Sequence, residues 1–201
     1  SWSKLRNINY FLEHYNNPAI SEEARLHYAG IARFFRAYFY FDMVKTYGDV
    51  PWYGKTMAPN DAYLYKDRDA MTLVMDSVLA DLDFAIANIR VPKDASSTMI
   101  TKWVALGLKS RICLFEGTFR KYHTELKIAT TADTWLQESA KASKEIIDGQ
   151  QYTLHSTGNA NKDYRALFTA EAPVVSEVMW SNVYNNALKR WHEVTWKFNS
   201  A

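Results

Sequence analysis

The chain is almost free of cysteine. Cys113 is the single thiol in 201 residues, so no internal disulfide can form. It sits inside an apolar helical run, which suits a buried structural thiol, because a reactive one needs exposure and an electropositive neighbourhood. A large helical core does not need covalent staples, so the lack of disulfides does not by itself point to the cytosol. An excess of charge is missing too. Lys and Arg total 24 against 22 Asp and Glu, a formal net charge of +2, which argues against the clustered basic footprint of a nucleic-acid binder. No stretch approaches the roughly 20 apolar residues of a membrane helix. The chain opens at Ser1-Trp2-Ser3 with no initiator Met, signal peptide or lipid-accepting cysteine, and helical spacing is already under way there. Both ends read as cut from something longer, so the missing targeting information says nothing of localisation.

Catalytic signatures are absent as well. None of G-x-G-x-x-G, a P-loop, H-E-x-x-H or G-x-S-x-G occurs. Asn159, Asn161 and Asp163 imitate the first ligands of a calcium loop, but Tyr164 stands where that loop needs Gly and Ala170 where it needs Glu. A polar turn is expected instead. Glu116, Arg120 and His123 could imitate an acid–base cluster. They fall where a helix is expected to end, and capping with a surface ion pair is the plainer reading. His192 and Glu193 are adjacent and so do not share a helix face. Asp61, Asp67 and Asp69 lie near aromatics, yet nothing fixes the carboxylate separation a glycoside hydrolase requires. The expectation is a protein that is not an enzyme and uses no metal or other cofactor.

What the chain does have is apolar and aromatic content: 48% hydrophobic, with 7 Trp, 13 Tyr and 10 Phe. That composition and length predict a folded protein of one domain or slightly more. Apolar spacing predicts helices over 2–15, 22–47, 70–89, 102–116 and 135–148. Ser21 is placed to cap the second, with Glu22 and Glu23 favoured in its first turn. Within it, Arg25, Arg33 and Arg36 mark a polar side, while Ala37 to Val44 has almost none and should be enclosed. Gly48 and Pro51 stop this helix, Gly117 stops the fourth, and Thr134 with Gln137 suggests a capping box for the fifth. Leu136, Ala140, Ser143 and Ile147 form the fifth helix's apolar stripe. Helical periodicity fades after Tyr152. The fold class is therefore all-α, with antiparallel helical pairs in an irregular tetratricopeptide-like layout. Helical pairs occupy 1–152, and 153–201 form a less regular segment.

The aromatics outside the helical stripes are Trp52, Tyr53, Tyr63 and Tyr65 in the long 49–68 connection, and Trp191 and Trp196 in the tail. Long connections without regular structure are often functional. A sugar ring offers an apolar face and polar edges, which suits flat aromatic platforms flanked by hydrogen-bonding groups. The same rings could pin loops to the core or meet a protein partner. Two binding roles thus stand beside each other: a ligand platform, and a helical-repeat scaffold for proteins only.

The run from Arg33-Phe34-Phe35-Arg36-Ala37-Tyr38-Phe39-Tyr40-Phe41 through Tyr47-Gly48-Asp49-Val50-Pro51 resembles the most recognisable segment of the SusD/RagB family. Leu5 to Glu13, Asp81 to Ala85, Thr101 to Thr118, Trp135 to Leu154 and Tyr164 to Trp180 resemble the segments around it, in the family's order. The resemblance implies the tetratricopeptide-like core of a surface lipoprotein of the outer membrane. Such a protein captures a glycan or other nutrient for a SusC-like TonB-dependent transporter, and is held by an N-terminal lipid anchor that this chain lacks. It also implies a longer protein, whose C-terminal part contributes to the ligand site.

Overall fold

A computed structural model describes residues 2–185, 187, 189 and 190. Six α-helices carry the fold: α1 (Trp2–His14), α2 (Glu22–Tyr47), α3 (Met71–Asn88), α4 (Lys102–Tyr122), α5 (Ala132–Asp148) and α6 (Ala160–Thr169). Among the described residues there is no strand, only isolated bridges such as Val50 with Asp69. Two compact units result. The first holds the described residues up to Lys93 together with Ile100–Gln151; the second holds Asp94–Met99 and the described residues from Tyr152 onward.

In the first unit, α2 packs on α3 and α4 on α5, α3 and α4 join the two pairs, and α1 lies on α2. Both pairs run antiparallel. Gly30 of α2 meets Ala85 and Ile89 at the far end of α3, and Arg36 meets Asp81. Gly149, just past α5, meets Trp103 at the start of α4, while Gly117 meets Ala132 and Leu136. The core face of α3 is the one its spacing predicts: Val74, Met75, Val78, Leu82 and Ala85 are all fully buried. Removing each of the larger chains from water contributes about 1.5–3 kcal/mol.

The ends of α2 are built from its sequence. Ser21 Oγ accepts from the Ala24 amide, and Glu22 and Glu23 occupy the positive first turn. At the other end Gly48 takes φ +69°, a left-handed value that favours glycine, and its N–H closes on Val44 O.

Four expectations are corrected. α4 does not stop at Gly117 but runs to Tyr122. This glycine is a contact point rather than a terminator: a Cβ there would lie 2.8 Å from Leu136 and 3.0 Å from Ala132 O. α5 begins at Ala132, before Thr134, and buries Ala132, Trp135, Ser139 and Ala142, leaving Ile147 74% exposed. Its buried face is rotated from the expected stripe because Trp135 carries the largest apolar surface on the helix. Arg36 is not on a polar side but buried, which its bidentate pairing with Asp81 makes tolerable. The Ala37–Val44 stretch is not enclosed throughout, since Tyr38 is 50% exposed.

Polar bonds between segments distant in sequence join the second unit. The Ser97 hydroxyl donates to Val178 O and the Ser181 amide to Ser97 O. Thr153 N donates to Ser176 O. The polar turn expected at Asn159–Asp163 is instead the start of α6, with Asn159 as its N-cap, and Asp163 in its first turn accepts from the amide and hydroxyl of Thr157. Tyr164 and Phe168 pack ring against ring on the exposed side of α6.

Candidate functional site

The 49–68 connection is fastened to the helices by a buried polar network. Arg36 donates through Nε and Nη2 to the two Asp81 oxygens at 2.7 and 2.8 Å. Its Nη1 reaches Asn9 Oδ1 at 3.1 Å. Asn9, 1% exposed, turns its amide nitrogen to Tyr53 O at 2.8 Å. The Tyr40 hydroxyl accepts from the Tyr53 amide at 2.6 Å, and burial pushes its pKa up. One guanidinium therefore ties α1, α2, α3 and the loop together. The network explains why a long connection holds a defined shape.

That shape includes a groove of about 510 Å³ between α1 and the loop, within the size range of small-ligand clefts, about 300–1,000 Å³. Its apolar surface comes from Trp2, Leu5, Tyr53, Met57 and Leu64, and its polar points from Arg6, Lys55 and Thr56. Trp2 stands edge-on to Tyr53 and to Phe39, with ring centroids 5.7 and 5.5 Å apart, and remains 43% exposed. Thr56 is pinned by Glu13, which accepts from its amide at 2.8 Å and its hydroxyl at 2.5 Å. These two bonds hold the Glu13 carboxyl below its ordinary pKa.

Each aromatic singled out in the sequence has a distinct setting. Tyr53 is 7% exposed, lines the groove and donates its hydroxyl to Leu64 O. Tyr63 is 43% exposed, meets Tyr53 edge-on, and has the Lys66 ammonium 4.7 Å above its ring. Tyr65 is 82% exposed. Trp52 is half-buried over Tyr40, with the Arg36 guanidinium near its face. Trp191 and Trp196 lie outside the described residues, as does the His192–Glu193 pair. Lys66 also bonds Asp69, which in turn accepts from the Trp52 amide. Burial works against the Asp69 charge, but these two bonds outweigh it and keep the carboxyl below its usual range.

Trp2, Arg6 and Asn9 are site residues not singled out from the sequence, because apolar spacing marks only the core side of α1. Their own spacing, four and then three, places them on one helix face, and an Asn beside Leu5 on that face was the available signal.

The Glu116–Arg120 pair is not a surface bridge. Glu116 is fully buried and Arg120 is 3% exposed, with Arg120 Nε donating to Glu116 at 2.7 Å. His123 pairs instead with Glu125. Cys113 is fully buried, which pushes its thiol up to about 12. Among the described residues no group of His, Cys, Asp or Glu is arranged to hold a metal ion, and no helix is long and apolar enough to cross a membrane.

Comparison with known proteins places this frame. The SusD-like family model described as "Starch-binding associating with outer membrane" matches residues 2–114. SusD-like protein P25 of Formosa agariphila is 26% identical over 181 residues, covering 88% of this chain and 29% of that protein. A SusD-like protein of Bacteroides fragilis superposes with a TM-score of 0.72 at 24% identity, over 92% of this chain and 32% of its own. A laminarin-binding SusD-like protein does so at 0.68 and 18% identity, over 92% and 37%. Surface glycan-binding protein A of Bacteroides uniformis follows at 0.65 and 17% identity, over 89% and 36%. These structural likenesses show a shared fold. The chain spans about a third of the length of these relatives.

Proposed function

This chain belongs to the SusD-like family, and from that premise we propose that it forms part of a non-enzymatic glycan-binding protein of the outer-membrane surface. The protein holds its ligand at the mouth of a SusC-like TonB-dependent transporter and is anchored there by lipid. The observation that carries the reading is the groove between α1 and the 49–68 loop. It joins exposed ring surface to hydrogen-bonding points, which is the chemistry a sugar ring needs. The groove is fixed in place by the Arg36–Asp81–Asn9 network, so little ordering cost falls on binding.

Trp2 and Tyr53 supply the apolar surface of the site, and Tyr63, Tyr65 and Trp52 extend it along the loop. Relatives described as laminarin-binding and as crystallised with a xylogluco-oligosaccharide support a glycan as the ligand class. A protein-only scaffold is the second reading, favoured by Tyr28, Phe35 and Tyr38, which expose a ring face along α2.

Affinity electrophoresis of the intact protein through gels containing single polysaccharides, with co-purification of its membrane partners, tests the reading. Retardation by at least one polysaccharide and recovery of a TonB-dependent transporter are expected. Recovery of the transporter without any retardation favours the scaffold. Release of reducing sugar would contradict both.

A further inference from the structure

We propose that the groove selects anionic glycans, those bearing uronic acid carboxylates or sulfate esters; this rests on the glycan-binding reading above. Among the described residues the ionic groups that line it are Arg6 and Lys55, both exposed, and no carboxylate does. Among the described residues neither side chain makes a hydrogen bond or ion pair; the Lys55 ammonium lies 5.6 Å from the Tyr63 ring and acts on the Glu13 charge at longer range. The nearby acid, Glu13, is engaged by the amide and hydroxyl of Thr56. Lys66, further along this loop, is bound to Asp69 and Tyr63.

Two exposed cations flanking an aromatic surface match a ring that carries fixed negative charge. The guanidinium of Arg6 presents paired donors suited to a carboxylate or a sulfate, and Lys55 supplies a mobile point charge. Trp2 and Tyr53 between them take the apolar face of the sugar. A neutral glycan gains nothing from the charge of either cation, so the charged ligand is favoured. Because the two side chains are exposed, ionic strength must weaken the interaction.

The test titrates intact protein with matched polysaccharide pairs: polygalacturonate against its fully methyl-esterified form, and dextran sulfate against dextran. The expected result is tighter binding to at least one charged member than to its neutral counterpart, and which pair responds separates carboxylate from sulfate recognition. Arg6→Gln with Lys55→Gln lowers that affinity by about tenfold or more and flattens its salt dependence. Lys141→Gln with Lys144→Gln, which removes the same charge from the exposed side of α5, changes it by less than about twofold. Circular dichroism confirms that each variant is folded. Equal or tighter binding of the neutral members, unaffected by the Arg6 and Lys55 changes, overturns the anionic selectivity while leaving the glycan reading intact. Equal losses in the two double variants reduce the effect to bulk attraction and also overturn it. Failure to bind any glycan, charged or neutral, overturns both.

Discussion

Removing Asp81 should destabilise the fold more than removing Arg36, although the two are partners in one bond pair. Asp81 is 2% exposed and accepts from Arg36 at 2.7 and 2.8 Å. Hydrogen bonds to charged groups contribute about 1.5–3 kcal/mol each, and breaking a buried pair by removing one partner costs about 3–5 kcal/mol. Asp81→Leu leaves the Arg36 guanidinium enclosed with only neutral acceptors, Asn9 Oδ1 and Gly54 O. It therefore belongs at the upper end of that range. Arg36→Met leaves Asp81 a second cation, since Arg33 stands 3.7 Å away with its side chain 35% exposed, and belongs at the lower end. The double variant Arg36→Met with Asp81→Leu should recover most of the loss, because no uncompensated charge remains. It should not fully restore the loop, which loses the Arg36 bonds to Asn9 and Gly54 and keeps the Tyr40–Tyr53 tie to α2. Urea unfolding followed by circular dichroism measures the stabilities, and hydrogen exchange over 49–68 reports the loop. A cost below about 1 kcal/mol for Asp81→Leu, or a double variant no more stable than the worse single, would refute the reasoning.

Gly117→Ala provides a test of sign. In an open helix it would stabilise by about 1 kcal/mol, whereas against Leu136 and Ala132 O it should cost about 1–3 kcal/mol; denaturant midpoints decide between them. His27 should make stability pH-dependent. Burial, followed by the Arg90 charge, lowers its folded pKa, and its Nδ1 accepts from the Arg90 amide. Its contribution is therefore complete above the unfolded value near 6.5 and is lost as pH falls toward the lower folded value. Thermal melts of wild type and His27→Gln between pH 7.5 and 5 should converge as the pH falls, and parallel curves would contradict the assignment.

Much of the fold was legible because helix propensity and burial agree over long spans. The face of α3 and the ends of α2 follow directly from apolar spacing and from Ser21 and Gly48. The misreadings share a cause. Gly117 reads as a stop in a single sequence, yet it is a point where α4 and α5 touch, and the residues that reveal this are fifteen and nineteen positions away. Arg36 reads as solvent-facing until Asp81, 45 residues on, is brought beside it. The site was half legible for the same reason. Tyr53 stood out because it interrupts the helical pattern, whereas Trp2, Arg6 and Asn9 hid inside a helix whose apolar stripe accounted for its other residues.

The most direct test of the central claim is calorimetric titration of the intact protein and its Trp2→Ala variant with the polysaccharide that retards wild type most strongly. Trp2 lines the groove and is 43% exposed, so its loss should leave the fold standing while removing a stacking surface. A drop in affinity of about thirtyfold, corresponding to about 2 kcal/mol, is predicted, with an unchanged circular dichroism spectrum. A folded variant that binds as tightly as wild type would contradict the claim that this groove holds the ligand.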